Sequence, residues 1–128
     1  QTLREVSHLG LSIYGNGWDR SERAAEFMPF WRGILPQRNI AALYSGAKVV
    51  LATTEEKQRE LGMVNNRVFE ALACGAAVVT DAFPALTEIF GDHVLYYRKP
   101  GEARRSVEFL LENAAAREEL GIAGRRLI

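Results

Sequence analysis

The feature that most constrains this chain is the alternation of short apolar runs with helix-like segments. Residues 48–53, 76–80 and 94–97 form three runs rich in β-branched and aromatic side chains, and segments with helical patterning separate them. Continuous apolar runs of this length are typical of parallel strands that are buried on both faces. Regular alternation of strand and helix with short connections predicts a parallel sheet covered by helices. The sequence therefore predicts an α/β fold, a Rossmann-like three-layer α/β/α sandwich with a mostly parallel sheet.

Turn and cap residues place the remaining predicted elements. A short strand at 9–14 should end in a glycine-containing loop, and a helix should start near Pro36 and run to about residue 45. A helix at 66–74 is bounded by asparagine at its start and by Gly75 at its end. The polar segment 54–62 predicts an exposed loop. Further helices are predicted at 84–90, 102–113 and about 115–121.

Composition excludes several classes of protein. The chain has 128 residues with 48% hydrophobic content, which suits one globular domain with a real core. Its 16 basic and 16 acidic residues balance, so no overall field attracts nucleic acid or an anionic membrane. The longest nearly apolar stretch, 71–79, is about half of what a membrane span needs. The single cysteine, Cys74, excludes an internal disulfide. We therefore expect a soluble, cytoplasmic protein that binds no nucleic acid and does not span a membrane.

The sequence offers few metal ligands. The two histidines and the one cysteine lie on separate segments, and no two aspartates are separated by a single residue. The sequence therefore contains neither the cysteine and histidine ligands of a structural zinc site nor an Asp-x-Asp pair, and we predict no metal and no cofactor. Gly15 and Gly17 match the first two glycines of a dinucleotide fingerprint, but Arg20 stands where the third would be. This loop is either a plain strand-ending turn or a place where backbone approaches a ligand.

The segment 62–75 carries the clearest candidate chemistry. At helical spacing, one arc is apolar and should pack against the protein: Val68, Phe69, Leu72 and Ala73. The opposite arc can meet a ligand: Asn66, Arg67, Glu70 and Cys74. The start of such a helix offers free N–H groups and a positive dipole to a phosphate, and a carboxylate one turn later can accept bonds from two sugar hydroxyls. This pattern indicates a nucleotide diphosphate with its ribose. A solvated i,i+3 ion pair between Arg67 and Glu70 is the alternative.

The run 66–81 (NRVFEALACGAAVVTD) resembles the donor-binding segment of glycosyltransferases with the GT-B fold, in which a Glu-Ala-x-Ala-x-Gly helix precedes a strand of small residues. Flanking features at 33–36, 43–51 and 85–88 agree with this resemblance. It covers roughly residues 9–120 and is closest to the group-1, spore-maturation-protein-like branch of these enzymes.

The resemblance implies a role for each candidate residue. Glu70 would hold the ribose of a nucleotide-sugar donor and Arg67 would stabilise the leaving diphosphate, so these two are the candidate catalytic residues. Glu88 would be a structural residue in a later loop. The other donor-binding residues would lie under the donor, at the base, along the cleft and around the diphosphate: Gly15, Gly17, Gly33, Leu35, Thr53, Thr54, Val64, Asn65 and Asn66.

The resemblance also implies an architecture. A GT-B enzyme has two Rossmann-like domains, so residues 1–128 would be the single carboxyl-terminal, donor-binding domain. The acceptor-binding amino-terminal domain of the same full-length protein would lie outside this chain. The function implied is a metal-independent, hexosyltransferase-like glycosyltransferase that is inactive as this isolated domain.

Two departures from the family pattern leave other functions open. Many retaining members carry a second glutamate eight positions before the ribose-binding one, where this chain has Gly62. The paired basic residues of the family are not evident after the predicted first strand, where Asn16 and Trp18 stand. A non-catalytic nucleotide- or carbohydrate-binding module is therefore one alternative. A doubly wound interaction domain of the response-regulator type, with an acidic pocket around Asp81, is another.

Overall fold

A computed structural model describes residues 2–14, 22–54, 56–64 and 66–128. Within them the chain forms one sheet of three parallel strands: β1 (Val49–Ala52), β2 (Ala77–Asp81) and β3 (Leu95–Tyr97). The strands lie in chain order, with β2 in the centre, and Val50 pairs with Val78 while Val79 pairs with Leu95. The three apolar runs of the sequence are these strands to within one residue at each end, so the predicted parallel sheet is confirmed.

Helices occupy most of the remaining described chain: α1 (Thr2–Val6), α2 (Ile40–Gly46), α3 (Glu56–Glu60), α4 (Asn66–Ala73), α5 (Pro84–Phe90), α6 (Glu102–Glu112) and α7 (Ala114–Leu127). Short 3₁₀ turns lie at Ser7–Leu9, Gln37–Asn39 and Gly91–His93, and a longer 3₁₀ segment spans Glu22–Phe30. Among the residues described, no helix combines the length and the apolar content that a membrane crossing requires.

The central strand β2 has a separate core on each of its faces because successive side chains of a strand point in opposite directions. Val78 faces a core to which α4 contributes Val68 and Leu72. Helix α5 contributes Leu86 and Phe90 to the same core. On the other face, the core is built from β2, α1 and α6: Ala77, Val79, Val6, Val107 and Leu110. Helices on both faces of a parallel sheet confirm the predicted Rossmann-like sandwich.

Gly75 ends α4, as predicted, and returns the chain into β2. Its φ of +79° lies in the left-handed region, its N–H donates to the Leu72 carbonyl at 2.9 Å, and the Ala76 N–H donates to the Ala71 carbonyl at 3.1 Å. These bonds satisfy carbonyls at the end of the helix that would otherwise lack a partner. Helix α7 packs across this turn through Gly121, which is buried.

Two predicted elements are wrong. The strand expected at 9–14 is reduced to one bridge between Ile13 and Trp31, because Ser7–Leu9 forms a 3₁₀ turn that ends at Gly10 with φ +84°. The segment 54–62, expected to be a loop, contains α3. Its high charge indicated exposure correctly, since this helix contributes no buried residue, but charge alone does not distinguish an exposed helix from a loop.

One face assignment on α4 also requires correction. Val68 and Leu72 are fully buried as expected, whereas Ala73 is exposed and Ala71 is fully buried in its place. Residues 68, 71 and 72 have the i, i+3, i+4 spacing that places them on one face of a helix, and this face is buried. Residue 73 lies 100° further around the helix than residue 72 and therefore faces solvent. Of the predicted polar arc, Asn66, Arg67 and Glu70 are exposed and Cys74 is half-buried.

Candidate functional site

The carboxyl ends of the strands form one polar edge of the sheet. Because the strands are parallel, Ala52, Asp81 and Tyr97 all end at this edge. The segments that leave it lead into α3 and α4, into α5, and into α6. Ligands of open α/β sheets bind outside the carboxyl ends of the strands. This edge is therefore where a functional site is expected.

Asp81 is the most deeply buried charged residue among those described, with 3% of its surface exposed. The hydroxyls of Thr54 and Thr80 donate to its Oδ1 at 3.0 and 3.2 Å, and the Arg59 guanidinium forms an ion pair with its Oδ2. Burying a carboxylate is costly unless it is paired and hydrogen-bonded. The Asp81 carboxylate meets both conditions, and it links α3 to the ends of β1 and β2.

Arg59 is a functional candidate that the sequence analysis missed. Its side chain is 47% exposed, and its guanidinium lies 5.9 Å from the centre of the Phe83 ring. Because we predicted a loop at 54–62, we did not identify Arg59 as a residue held on a helix. Glycine often ends helices, so Gly62 was the signal in the sequence for a helix before it. Gly62 has φ +68° and donates its N–H to the Arg59 carbonyl at 3.1 Å. The backbone conformation therefore explains why glycine occupies this position, because other residues rarely adopt a positive φ.

Tyr97, the last residue of β3, lies at the same edge of the sheet. Its hydroxyl donates to the Ala52 carbonyl at 3.0 Å and so joins the ends of the two outer strands. Burial, with the negative charge of Asp81 as a second cause, raises the pKa of Tyr97 to about 12. The phenol therefore acts as a neutral hydrogen-bond donor throughout the physiological range.

This raised pKa predicts a pH dependence of stability. The unfolded tyrosine loses its proton near pH 10, whereas the folded one keeps it until about pH 12. The folded state therefore binds more protons in this interval, and its free energy of unfolding should fall as the pH rises from 10 to 12. Chemical denaturation at several pH values should show a steeper fall for the wild type than for Tyr97→Phe. Equal slopes for the two proteins would contradict the assignment.

Helix α4 presents the predicted polar arc beside α2. Burial raises the pKa of the Tyr44 phenol, the negative charge of Glu70 raises it further, and the positive charge of Arg67 opposes the shift. The charges of both candidate residues therefore act on the Tyr44 phenol of α2. Tyr44 also packs against the core beneath α4, so it connects the polar arc to the protein interior.

The other candidate residues lie in the segments around these helices. Thr53 is exposed just after β1, whereas the Thr54 hydroxyl is engaged with Asp81. Val64 is half-buried and packs against the core just before α4. Gly33, with φ +96°, and half-buried Leu35 lie in the segment before α2. Three further predictions lie outside the described residues: Gly15, Gly17 and Asn65.

Two cavities open at this edge. The larger, of about 570 Å³, is lined by residues that follow β2 and β3: Ala82, Phe83, Pro84, Thr87, Glu88 and Arg98. The smaller, of about 170 Å³, lies beside α1 and is lined by Thr2, Glu5, Tyr97, Arg98, Lys99 and Pro100. Over the described ranges, no group of three or more His, Cys, Asp or Glu residues is placed to hold a metal ion.

The fold and its polar edge define an α/β domain of the parallel, three-layer class. A family model described as "Glycosyl transferase-like" matches residues 1–128, and the chain therefore belongs to that family. No curated protein and no solved structure shows significant similarity to it. Family membership supports a glycosyltransferase domain, in agreement with the resemblance carried by residues 66–81.

Proposed function

We propose that this domain binds a nucleotide-diphosphate sugar and takes part in the transfer of its sugar to an acceptor. Family membership supports glycosyl transfer. The observation that carries the choice of donor is the position of α4, which follows the carboxyl end of β1 and exposes Asn66, Arg67 and Glu70. This arrangement brings a helix start, a cation and a carboxylate to the edge of the sheet where α/β domains bind ligands.

The first turn of α4 would receive the diphosphate. N–H groups at the start of a helix have no partner within the helix, and together with the helix dipole they attract anions. In the proposal, residues 64–67 form this cradle and the Arg67 guanidinium adds a full positive charge. Arg59 lies at the same edge, where its charge is engaged by Asp81, so Arg67 is the cation that the proposal assigns to the diphosphate.

The nucleoside would lie on the side of α4 that faces α2. Glu70 lies one turn after the start of α4, where its carboxylate can accept hydrogen bonds from two neighbouring ribose hydroxyls. The charge of Glu70 acts on Tyr44 of α2, and the segment with Gly33 and Leu35 leads into α2. The base would therefore meet the backbone at 33–35, and Thr53 would face the cleft from the end of β1.

In this proposal, catalysis is mainly stabilisation of the leaving group. The bond between the sugar and the diphosphate breaks, and negative charge grows on the departing diphosphate. Fixed N–H groups and the Arg67 guanidinium at α4 stabilise that charge without reorganisation, so neither a metal nor a covalent intermediate is needed. Because the acceptor would be held by a separate amino-terminal domain, the isolated chain should bind donor without transferring its sugar.

Gly62 favours a second candidate function, a nucleotide-binding module without catalytic activity. The glutamate that many retaining members carry is replaced here by a glycine whose left-handed conformation ends α3. The interaction-domain alternative depended on an acidic pocket around Asp81. That carboxylate is instead engaged with Arg59 and two threonine hydroxyls, which argues against it.

Titration of the 128-residue chain with UDP and GDP by calorimetry tests the donor site. We expect binding of at least one nucleotide, and we expect Glu70→Ala to weaken it about tenfold or more because hydrogen bonds to a charged carboxylate are lost. Glu118→Ala, which removes an exposed carboxylate on α7, is the matched control and should bind like the wild type. Absence of binding at millimolar nucleotide would contradict the proposed function. Unchanged affinity in Glu70→Ala would remove Glu70 from the site.

A further inference from the structure

Helix α3 lies at the carboxyl edge of the sheet without apolar packing of its own. It has five residues, none of them buried, and it contributes no side chain to either core. An isolated helix of this length is not stable in water, because its few hydrogen bonds do not offset the cost of ordering the chain. A contact with the rest of the domain must therefore hold α3 in place.

The side chain of Arg59 makes that contact. Its guanidinium forms an ion pair with Oδ2 of Asp81 and lies 5.9 Å from the centre of the Phe83 ring, so it meets the carboxyl end of β2 twice. No other side chain of α3 forms a hydrogen bond or an ion pair with a residue that the structure describes. Asp81 is itself fixed, since it is buried and its Oδ1 accepts hydrogen bonds from two threonine hydroxyls. The ion pair therefore ties α3 to the central strand.

This tie extends from α3 towards the start of α4. The backbone N–H groups of residues 61, 62 and 63 all donate to carbonyls of α3, and the bond from Met63 to the Gln58 carbonyl is 2.9 Å long. Val64 packs against the core to which α4 contributes, and α4 begins at Asn66. The segment that leads into α4 is therefore bonded to α3 on one side and packed against the core on the other.

We propose that Arg59 and Asp81 are positioning residues for the donor diphosphate. Their ion pair holds α3, α3 holds residues 61–63, and this segment presents the first turn of α4 to the phosphates. Because the Arg59 charge is engaged by Asp81, neither residue contacts the donor. The inference rests on the proposed function, which assigns residues 64–67 to the diphosphate. Without the pair, the donor must select one of several arrangements of this segment, and its apparent affinity falls in proportion to the competent fraction.

The first arm of the test needs no nucleotide. Amide hydrogen exchange of the isotopically labelled chain is followed by NMR at residues 61–63, whose N–H groups are bonded to α3. We expect exchange about tenfold faster in Arg59→Ala than in the wild type, because local opening of α3 exposes these groups. Val107→Ala is the matched control. It opens a gap in the core on the face of the sheet opposite α4, so it destabilises the domain but leaves the tie intact, and these amides should exchange as in the wild type.

The second arm measures affinity by calorimetry for UDP or GDP, whichever the wild type binds more tightly. We expect about tenfold weaker binding in both Arg59→Ala and Asp81→Asn, which corresponds to about one molecule in ten in the competent arrangement. Arg59→Lys should bind within about threefold of the wild type, because one guanidinium nitrogen meets Asp81 and an ammonium group can replace it. Val107→Ala should bind like the wild type.

The direction of the Asp81→Asn effect distinguishes positioning from direct contact. A guanidinium that touched the phosphates would be freed by Asp81→Asn and would bind the nucleotide more tightly, and that result would overturn the inference. Wild-type affinity in Arg59→Ala, an equal loss in Val107→Ala, or unchanged exchange at 61–63 in Arg59→Ala would also overturn it. With nucleotide bound by the wild type, each of these results refutes the inference alone. Failure of the wild type to bind either nucleotide would refute the proposed function and the donor role of the pair, whereas faster exchange in Arg59→Ala would still establish the tie itself.

Discussion

The Gly121→Ala variant is expected to lose about 3 kcal/mol of its free energy of unfolding, because an added methyl group would overlap the backbone of a neighbouring turn. A Cβ at this position would lie 2.2 Å from the Gly75 carbonyl oxygen and 3.2 Å from the Gly75 carbonyl carbon. Neither atom can move freely, since Gly75 ends α4 and begins the connection to the buried central strand. Helix α7 must therefore shift away from the sheet, or the turn must distort.

Alanine substitutions at two other glycines provide comparisons for the stability loss expected at Gly121. A Cβ at Gly124 would lie 2.6 Å from Cδ2 of Leu72, a buried side chain that can adjust, so Gly124→Ala should be less damaging. Gly46 ends α2 with nothing within 4 Å of an added Cβ, and Gly46→Ala should leave stability unchanged or slightly improved. Urea denaturation of the three variants should rank their losses as Gly121, then Gly124, then Gly46. Equal losses at Gly121 and Gly46 would contradict the close packing of α7 on the turn.

Loss of the Arg59 guanidinium should have the second largest effect on stability. Arg59→Ala leaves the Asp81 carboxylate, whose side chain is 4% exposed, with only two hydroxyl donors. Breaking a buried pair costs about 3 to 5 kcal/mol, and the half-exposed arginine places this pair below that range, at about 2 kcal/mol. Urea denaturation measures this loss directly.

A double-mutant cycle separates the ion pair from other effects of these substitutions. In Arg59→Ala with Asp81→Asn, the buried residue is neutral, so the double variant should lose less stability than the two single variants summed. Arg104→Ala is the matched control, because its 3.6 Å pair with Glu108 is exposed, and its removal should change stability by less than about 0.5 kcal/mol. Additive losses in the cycle would show that Arg59 and Asp81 do not interact.

The candidate site was predictable in part because its residues share one helix. Helical periodicity placed Asn66, Arg67 and Glu70 on an exposed arc of α4, and the structure confirms that exposure. Tyr44 belongs to α2, and the effect of the Glu70 charge on its phenol depends on how α2 packs against α4. That packing joins segments distant in the chain, which local periodicity does not encode.

The sequence alone determined the three strands and most of the helices of this domain. Apolar runs, helical periodicity and glycine stops are local patterns. Only β2 is buried over its whole length, as the apolar runs predicted, whereas β1 and β3 are mostly half-buried at the two sides of the sheet. Only the tertiary structure brought Arg59 to Asp81, Tyr97 to Ala52, and Glu88 and Arg98 into the lining of one cavity. Each pairing joins the ends of different elements at the carboxyl edge. The order and direction of the strands create that proximity, and no local stretch of sequence contains it.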